Sequence, residues 1–130
     1  MKLLLDTQML IWAAAQPELL PEKARQLIEN AENELFFTPA SLWEIAIKSG
    51  LNKPNFNLDD RILRRGLLDN GYQELVISSL HTVGVNDLPH IHKDHFDRLL
   101  LAQAKAEGIL LLTSDITLSD YPAPVEFAKR

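Results

Sequence analysis

Leu3-Leu4-Leu5-Asp6-Thr7-Gln8-Met9-Leu10-Ile11-Trp12 is the stretch that decides the fold. The leucines run together without polar alternation. A strand covered on both faces reads this way, whereas a strand with one wet face alternates. The apolar run stops at a single carboxylate, and helix-compatible sequence resumes at once over 7–15. A buried strand, an acid and a helix in immediate succession suggest a parallel sheet with helices packed on it.

The rest of the chain repeats the theme. Gln16-Pro17 breaks the first helix, and Pro21 suits the first turn of a second one over 21–31. Strand segments are expected at 34–37, 74–77, 109–112 and 125–128. Helices are expected at 39–49, 59–70 and 94–107, with a weaker one at 79–88 interrupted by Val83-Gly84-Val85. Gly50 is read as the left-handed cap closing the helix over 39–49, and Gly71 and Gly108 follow two others. Residues 51–58, with Pro54 and several asparagines, read as loop, as do 90–93. This alternation predicts a three-layer α/β/α sandwich around a central, mostly parallel sheet. Ligands of such folds bind beyond the carboxyl ends of the strands.

Composition narrows the function classes. The chain has 130 residues, 46% hydrophobic and 24% charged, ordinary values for one globular domain spanning 1–130. With no cysteine, disulfides and thiolate metal sites are excluded, which fits a cytoplasmic location. A formal net charge of −5 disfavours a purely electrostatic nucleic-acid binder. Lys2, the leucines and Ala13-Ala14-Ala15 mimic a secretory signal, but Asp6 and Gln8 would interrupt its apolar region. No apolar run approaches the roughly 18 residues that span a membrane.

Four acids occupy the positions that matter. Asp6 follows the first strand and Asp115 the fourth. Glu44 lies early in the helix after the second strand, and Asp97 early in the long helix before the fourth. Singly, Asp6 and Asp115 read as helix N-caps. Ser41-Leu42-Trp43-Glu44 has the form of a capping box, and Glu44 is spaced to pair with Lys48 on the polar side of its helix. Asp97 is harder to explain as structure. Its helical projection places it in the apolar sector with Phe96, Leu99, Leu100, Leu101 and Ala104, where a carboxylate needs compensation. Asp94 is the better N-cap of that helix. Carboxylates converging on one point stay ionised only around a cation. An all-oxygen donor set suits Mg²⁺ or Mn²⁺, metals that commonly act on phosphates.

Three stretches together, Leu3-Leu4-Leu5-Asp6-Thr7, Ser41-Leu42-Trp43-Glu44-Ile45-Ala46-Ile47-Lys48 and Asp94-His95-Phe96-Asp97-Arg98-Leu99-Leu100-Leu101-Ala102-Gln103-Ala104, resemble the PIN-domain family, and within it the VapC-type toxins. The likeness runs over nearly the whole chain. It implies that Asp6, Glu44 and Asp97 are core catalytic and metal-binding acids, with Asp115 a fourth, more variable one. It also implies that Thr7 supports the site through its hydroxyl. The activity implied is that of a Mg²⁺- or Mn²⁺-dependent endoribonuclease leaving 5′-phosphate and 3′-hydroxyl ends. Its implied partners are RNA, a second copy in a homodimer and a small antitoxin protein. Gln8 stands where many relatives have histidine, and His95 where many have proline.

Remaining features carry plainer readings. Arg98 is placed to orient a carboxylate or an RNA phosphate. His90, His92 and His95 read as a polar loop rather than a transition-metal site. Arg61, Arg64 and Arg65 make one helix locally basic, suited to phosphates, an acidic partner or solvent. Trp12, Trp43 and Phe96 read as core packing. Met9, Leu10 and Ile11 read as core or dimer surface. A receiver-type phosphoacceptor domain would want paired acids after the first strand and a lysine after the last central one, and neither is present. A PIN-like domain reduced to binding is the other rival, against which the complete acid set argues.

Overall fold

A computed structural model describes residues 1–91 and 94–130. Its sheet has the order β3-β2-β1-β4-β5, formed by β3 (Gln73–Glu74), β2 (Glu34–Phe37), β1 (Lys2–Leu5), β4 (Leu110–Thr113) and β5 (Val125–Phe127). Every strand pairing is parallel. Leu4 of β1 lies level with Phe36 on one side and Leu111 on the other. The uniform leucine run is explained by this central position, because β1 has a neighbour on each edge and a helical layer on each face.

Pleating divides the leucines between two cores. Leu3 and Leu5 point to one face, where they meet α1 (Thr7–Ala15), α2 (Glu22–Glu29) and α4 (Asp60–Asp69) through Met9, Leu10, Ala24, Leu63 and Leu67. Leu4 and Leu111 point to the other, against Leu100, Leu101 and Ala104 of α6 (His95–Glu107). Met9, Leu10 and Ile11 are core residues, and so is Trp12. The result is the expected three-layer sandwich.

Several boundaries differ from expectation for identifiable reasons. The second helix begins only at Glu22, with Pro21 as its N-cap residue, after a 3₁₀ turn at Pro17–Leu19. The third strand keeps only Gln73 and Glu74, although the Leu75 N–H still donates to the Phe37 carbonyl (2.7 Å). Beyond that point Leu75 and Ile77 pack against the α6 side rather than extend an exposed edge. The segment expected as one helix over 79–88 divides into α5 (Ser79–Gly84) and a 3₁₀ turn at Val85–Asp87. Gly50 is not the left-handed cap. It is the last residue of α3 (Pro39–Gly50), and the left-handed turn falls on Asn52 at φ 53°, a residue type that tolerates that region. Gly108 does take the expected left-handed conformation after α6, at φ 66°.

Chain order reverses beside the central strand. After β1 the chain builds outward through β2 and β3, then returns to place β4 on the other edge of β1. The carboxyl end of the β1/β4 pair is therefore a topological switch point, where ligands of open parallel sheets bind.

Candidate active site

Asp6 stands at that switch point. Its N–H donates to the Leu112 carbonyl (3.1 Å), which continues the β1/β4 ladder. Its Oδ1 accepts from the Met9 N–H (2.8 Å), which caps α1. Asp6 is thus a helix cap that also stands at the carboxyl edge of the sheet, so capping and a place in the candidate site do not exclude each other. Burial pushes its carboxyl up to about 6, against hydrogen bonds from Thr113 and Met9, and the charges of Glu44 and Asp115 add to the rise.

Thr113 is a site residue that sequence reasoning missed, and it links two of the acids. Its hydroxyl bonds the Asp6 carboxylate and accepts the Asp115 N–H (3.0 Å). A hydroxyl closing an otherwise apolar buried strand was the available signal. Asp115 in turn accepts from the N–H and hydroxyl of Thr117 and caps the 3₁₀ turn Ile116–Asp120.

Glu44 departs from expectation. The helical projection predicts a solvated polar side for it, but it is only 5% exposed. The polar side of α3 faces the start of α6 rather than water. Trp43 meets Phe96 there, and Lys48 lies 4.0 Å from Asp94. Lys48 does pair with Glu44 through Oε2, as the spacing implies. Burial opposes the Lys48 charge, but Glu44, Asp94 and Asp97 outweigh it and hold its pKa above the usual lysine value. The other oxygen, Glu44 Oε1, is buried without a hydrogen-bond partner among the described residues. The expected capping box is absent too. Thr38 caps α3 by accepting from Ala40 (3.3 Å), and Ser41 instead accepts the Thr7 hydroxyl (2.9 Å) within the core. Thr7 thus ties α1 to α3 just behind Asp6 and Glu44.

Asp97 is the third residue of α6, and its N–H donates to Oδ1 of the capping Asp94 (3.0 Å). Its carboxyl is half-buried beside the leucine face, in keeping with the projection. Burial pushes it up to about 8, followed by repulsion from Asp94, Asp6, Glu44 and Asp115. Asp97 therefore feels the other three predicted acids, and Asp6 feels Glu44 and Asp115 as well.

Arg98 is brought elsewhere. It is 6% exposed and donates to the carbonyls of Pro89 (2.7 Å), Val85 (3.1 Å) and Leu88 (3.4 Å) and to the Tyr121 hydroxyl (3.5 Å). This guanidinium ties α6 to the carbonyls of Val85, Leu88 and Pro89. Trp43 is also corrected: it is 62% exposed, not core, because Ala40, Ser41 and Ile45 form the buried side of α3. Gln8 is half-buried and His95 exposed. Arg61, Arg64 and Arg65 all face solvent on α4. His90 is exposed, while His92 lies outside the described residues.

The donor set is entirely carboxylate, with one buried oxygen lacking a partner, which suits a hard divalent cation. Among the described residues, no group of three or more acids or histidines is already arranged to hold an ion. Two cavities, of about 430 and 320 Å³, lie instead along α1 and α4 and are lined by none of the four acids. These two hollows and the coupled acids thus lie apart. The four acids are therefore the candidate site on their shared electrostatics and their place at the switch point, and not on any cavity.

A sheet with its acids at this switch point defines a class of parallel α/β proteins with a carboxylate site. The PIN domain family matches residues 3–124, and the chain belongs to it. Among solved structures, the chain is similar to VapBC2 from Rickettsia felis bound to a promoter DNA fragment, at a TM-score of 0.72 and 16% identity over 98% of both chains. DNA-bound VapBC from Salmonella typhimurium is similar at 0.68 and 15% identity, and VapBC-1 from nontypeable Haemophilus influenzae at 0.62 and 18%, each over 98% of both chains. At these identities the likeness is one of fold. No curated protein matches the chain.

Proposed function

We propose that the protein is a Mg²⁺- or Mn²⁺-dependent endoribonuclease, the toxin of a toxin–antitoxin pair, acting as one unit over residues 1–130. The observation that carries this reading is the mutual coupling of Asp6, Glu44, Asp97 and Asp115 at the sheet's switch point, with Glu44 Oε1 buried and unpartnered among the described residues. Repulsion and desolvation at such a cluster are relieved by protonation or by a cation, and only the cation lets the acids stay ionised together.

In this reading the four acids hold the cation. When bound, it polarises the phosphate and makes attacking water more acidic. Asp6 and Asp97 are the acids whose charge burial holds back most, so they gain most from it. Thr113 and the α1 amide orient Asp6. Lys48 orients Glu44 through Oε2 and leaves its second oxygen, Oε1, buried and without a hydrogen-bond partner among the described residues. The products are a 5′-phosphate and a 3′-hydroxyl.

Similarity in fold to VapBC structures supports an antitoxin as partner, and a cytoplasmic setting is part of the proposal. Among the described residues, no helix is long and apolar enough to cross a membrane. A homodimer is part of the proposal, and sedimentation checks it. Cleavage of single-stranded RNA with and without Mg²⁺ tests the activity. Metal-dependent cleavage that is lost in Asp97→Asn and Asp6→Asn is expected. Equal cleavage by these variants, or none by the wild type, would refute the ribonuclease reading. Induction in cells alone and together with the neighbouring small gene product tests the toxin role, with growth arrest and rescue expected.

A further inference from the structure

Trp43 is a large apolar side chain left in water beside the acid cluster. It is 62% exposed, whereas Glu44, the next residue, is 5% exposed. Its ring is held rather than loose, at 5.4 Å and 73° from Phe96 in an edge-type contact. Phe96 is in turn the residue before Asp97. Two aromatic side chains, each one residue before an acid, therefore pack into a ledge between α3 and α6. Lys48 stands behind it, 5.9 Å from the Phe96 centroid and 4.8 Å from that of Phe56.

We propose that Trp43 is the stacking platform for an unpaired nucleobase of the RNA, set beside the phosphate received by the acids. This rests on the ribonuclease reading. The net charge of −5 offers little general attraction for a polyanion. Stacking on an exposed aromatic ring supplies affinity that charge does not, and every base has a π-face to offer. Bases in a duplex are already stacked on each other, so the ledge selects single strands. Trp43 is then a specificity-determining residue, one step along the helix from a carboxylate that would hold the cation. Its order is set in advance by Phe96, which lowers the entropy lost on binding.

Fluorescence reads this contact directly, because Trp12 is buried and Trp43 carries the exposed indole. A single-stranded oligoadenylate is titrated into the Asp97→Asn protein in Mg²⁺. Quenching is expected, with weaker binding of the same strand in duplex. Adding Trp43→Ala should lower single-strand affinity roughly five- to hundredfold, and Trp43→Phe by less. In the otherwise wild-type chain, Trp43→Ala should keep the Mn²⁺-induced rise in melting temperature, which shows the acid site intact. Affinity unchanged within about twofold in Trp43→Ala would overturn the proposal. So would dissociation of a dimer by Trp43→Ala, which would make the ledge a subunit contact. Failure of any RNA to bind or be cleaved overturns the ribonuclease reading with it. Normal cleavage of single strands by Trp43→Ala overturns the stacking role alone.

Discussion

Replacing Asp97 by asparagine should stabilise the metal-free protein. Burial and four neighbouring carboxyls push Asp97 from 3.8 up to about 8. A raised pKa means that the folded state binds the proton more tightly than the unfolded chain. The stability linked to Asp97 is therefore fully present below pH 3.8 and is lost as pH rises towards 8. A tenfold change in proton affinity is worth about 1.4 kcal/mol, so at pH 7 the group costs the fold at most about 4 kcal/mol. Water reaching the half-buried carboxyl reduces this to roughly 2 kcal/mol. An asparagine side chain in its place has nearly the same shape and no charge. In a chelating buffer at pH 7, the substitution should raise the melting temperature by roughly 8 °C for a chain of this size. The gain should disappear at pH 3.5 to 4, where both proteins are protonated or neutral. Saturating Mn²⁺ should reverse the order at pH 7, because only the wild type keeps the full donor set; a hundredfold excess over the dissociation constant adds about 2.7 kcal/mol. Thermal melts at several pH values, with chelator or Mn²⁺, measure all of this. An Asp97→Asn protein no more stable than wild type in chelator at pH 7, or a gap equally large at pH 4, would refute the reasoning.

Other outcomes follow from single side chains. Arg98→Ala should destabilise by about 2–4 kcal/mol in urea unfolding, because three carbonyls and a hydroxyl lose their donor. Trp43→Ala should cost no more than about 1.5 kcal/mol, the scale of its edge contact with Phe96 on an otherwise exposed ring. Thr113→Val keeps the volume of the strand end but removes the bond to Asp6, so the Asp6 carboxyl should rise further, as carboxyl NMR titration would show. His81→Ala should cost about 1–3 kcal/mol by chemical unfolding, since the Ser78 N–H and the Glu107 carboxylate (2.8 Å) both lose a buried partner.

Much of the fold was legible because its central strand is apolar on both faces. Leu3-Leu4-Leu5 and Leu110-Leu111-Leu112 carry no period-2 pattern, and only interior parallel strands explain that. Asp97 was legible for the same reason in reverse, a charge standing among leucines. Faces were harder. A helical projection divides α3 into sides, but it does not say that the polar side meets α6. Hence Glu44 proved buried and Trp43 exposed. Arg98 misled because a guanidinium beside an acid suggests an ion pair, whereas the 3₁₀ turn at Val85–Asp87 and the adjoining loop leave carbonyls that need a donor. Such demands arise from tertiary geometry and leave no local pattern.

The place of β1 also bears on synthesis. Leu5 pairs with Leu112, and the Asp6 amide closes on the same residue's carbonyl. The first carboxylate of the site is translated early, yet the strand that fixes it arrives only near the end of these residues. Contacts so distant along the chain form late and slowly. A nascent chain that stops before β4 has no partner for that edge of β1 and no Asp115. A polypeptide of this design therefore brings Asp6 and Asp115 to one sheet edge only once most of it has been made, and an early-terminated product lacks that edge.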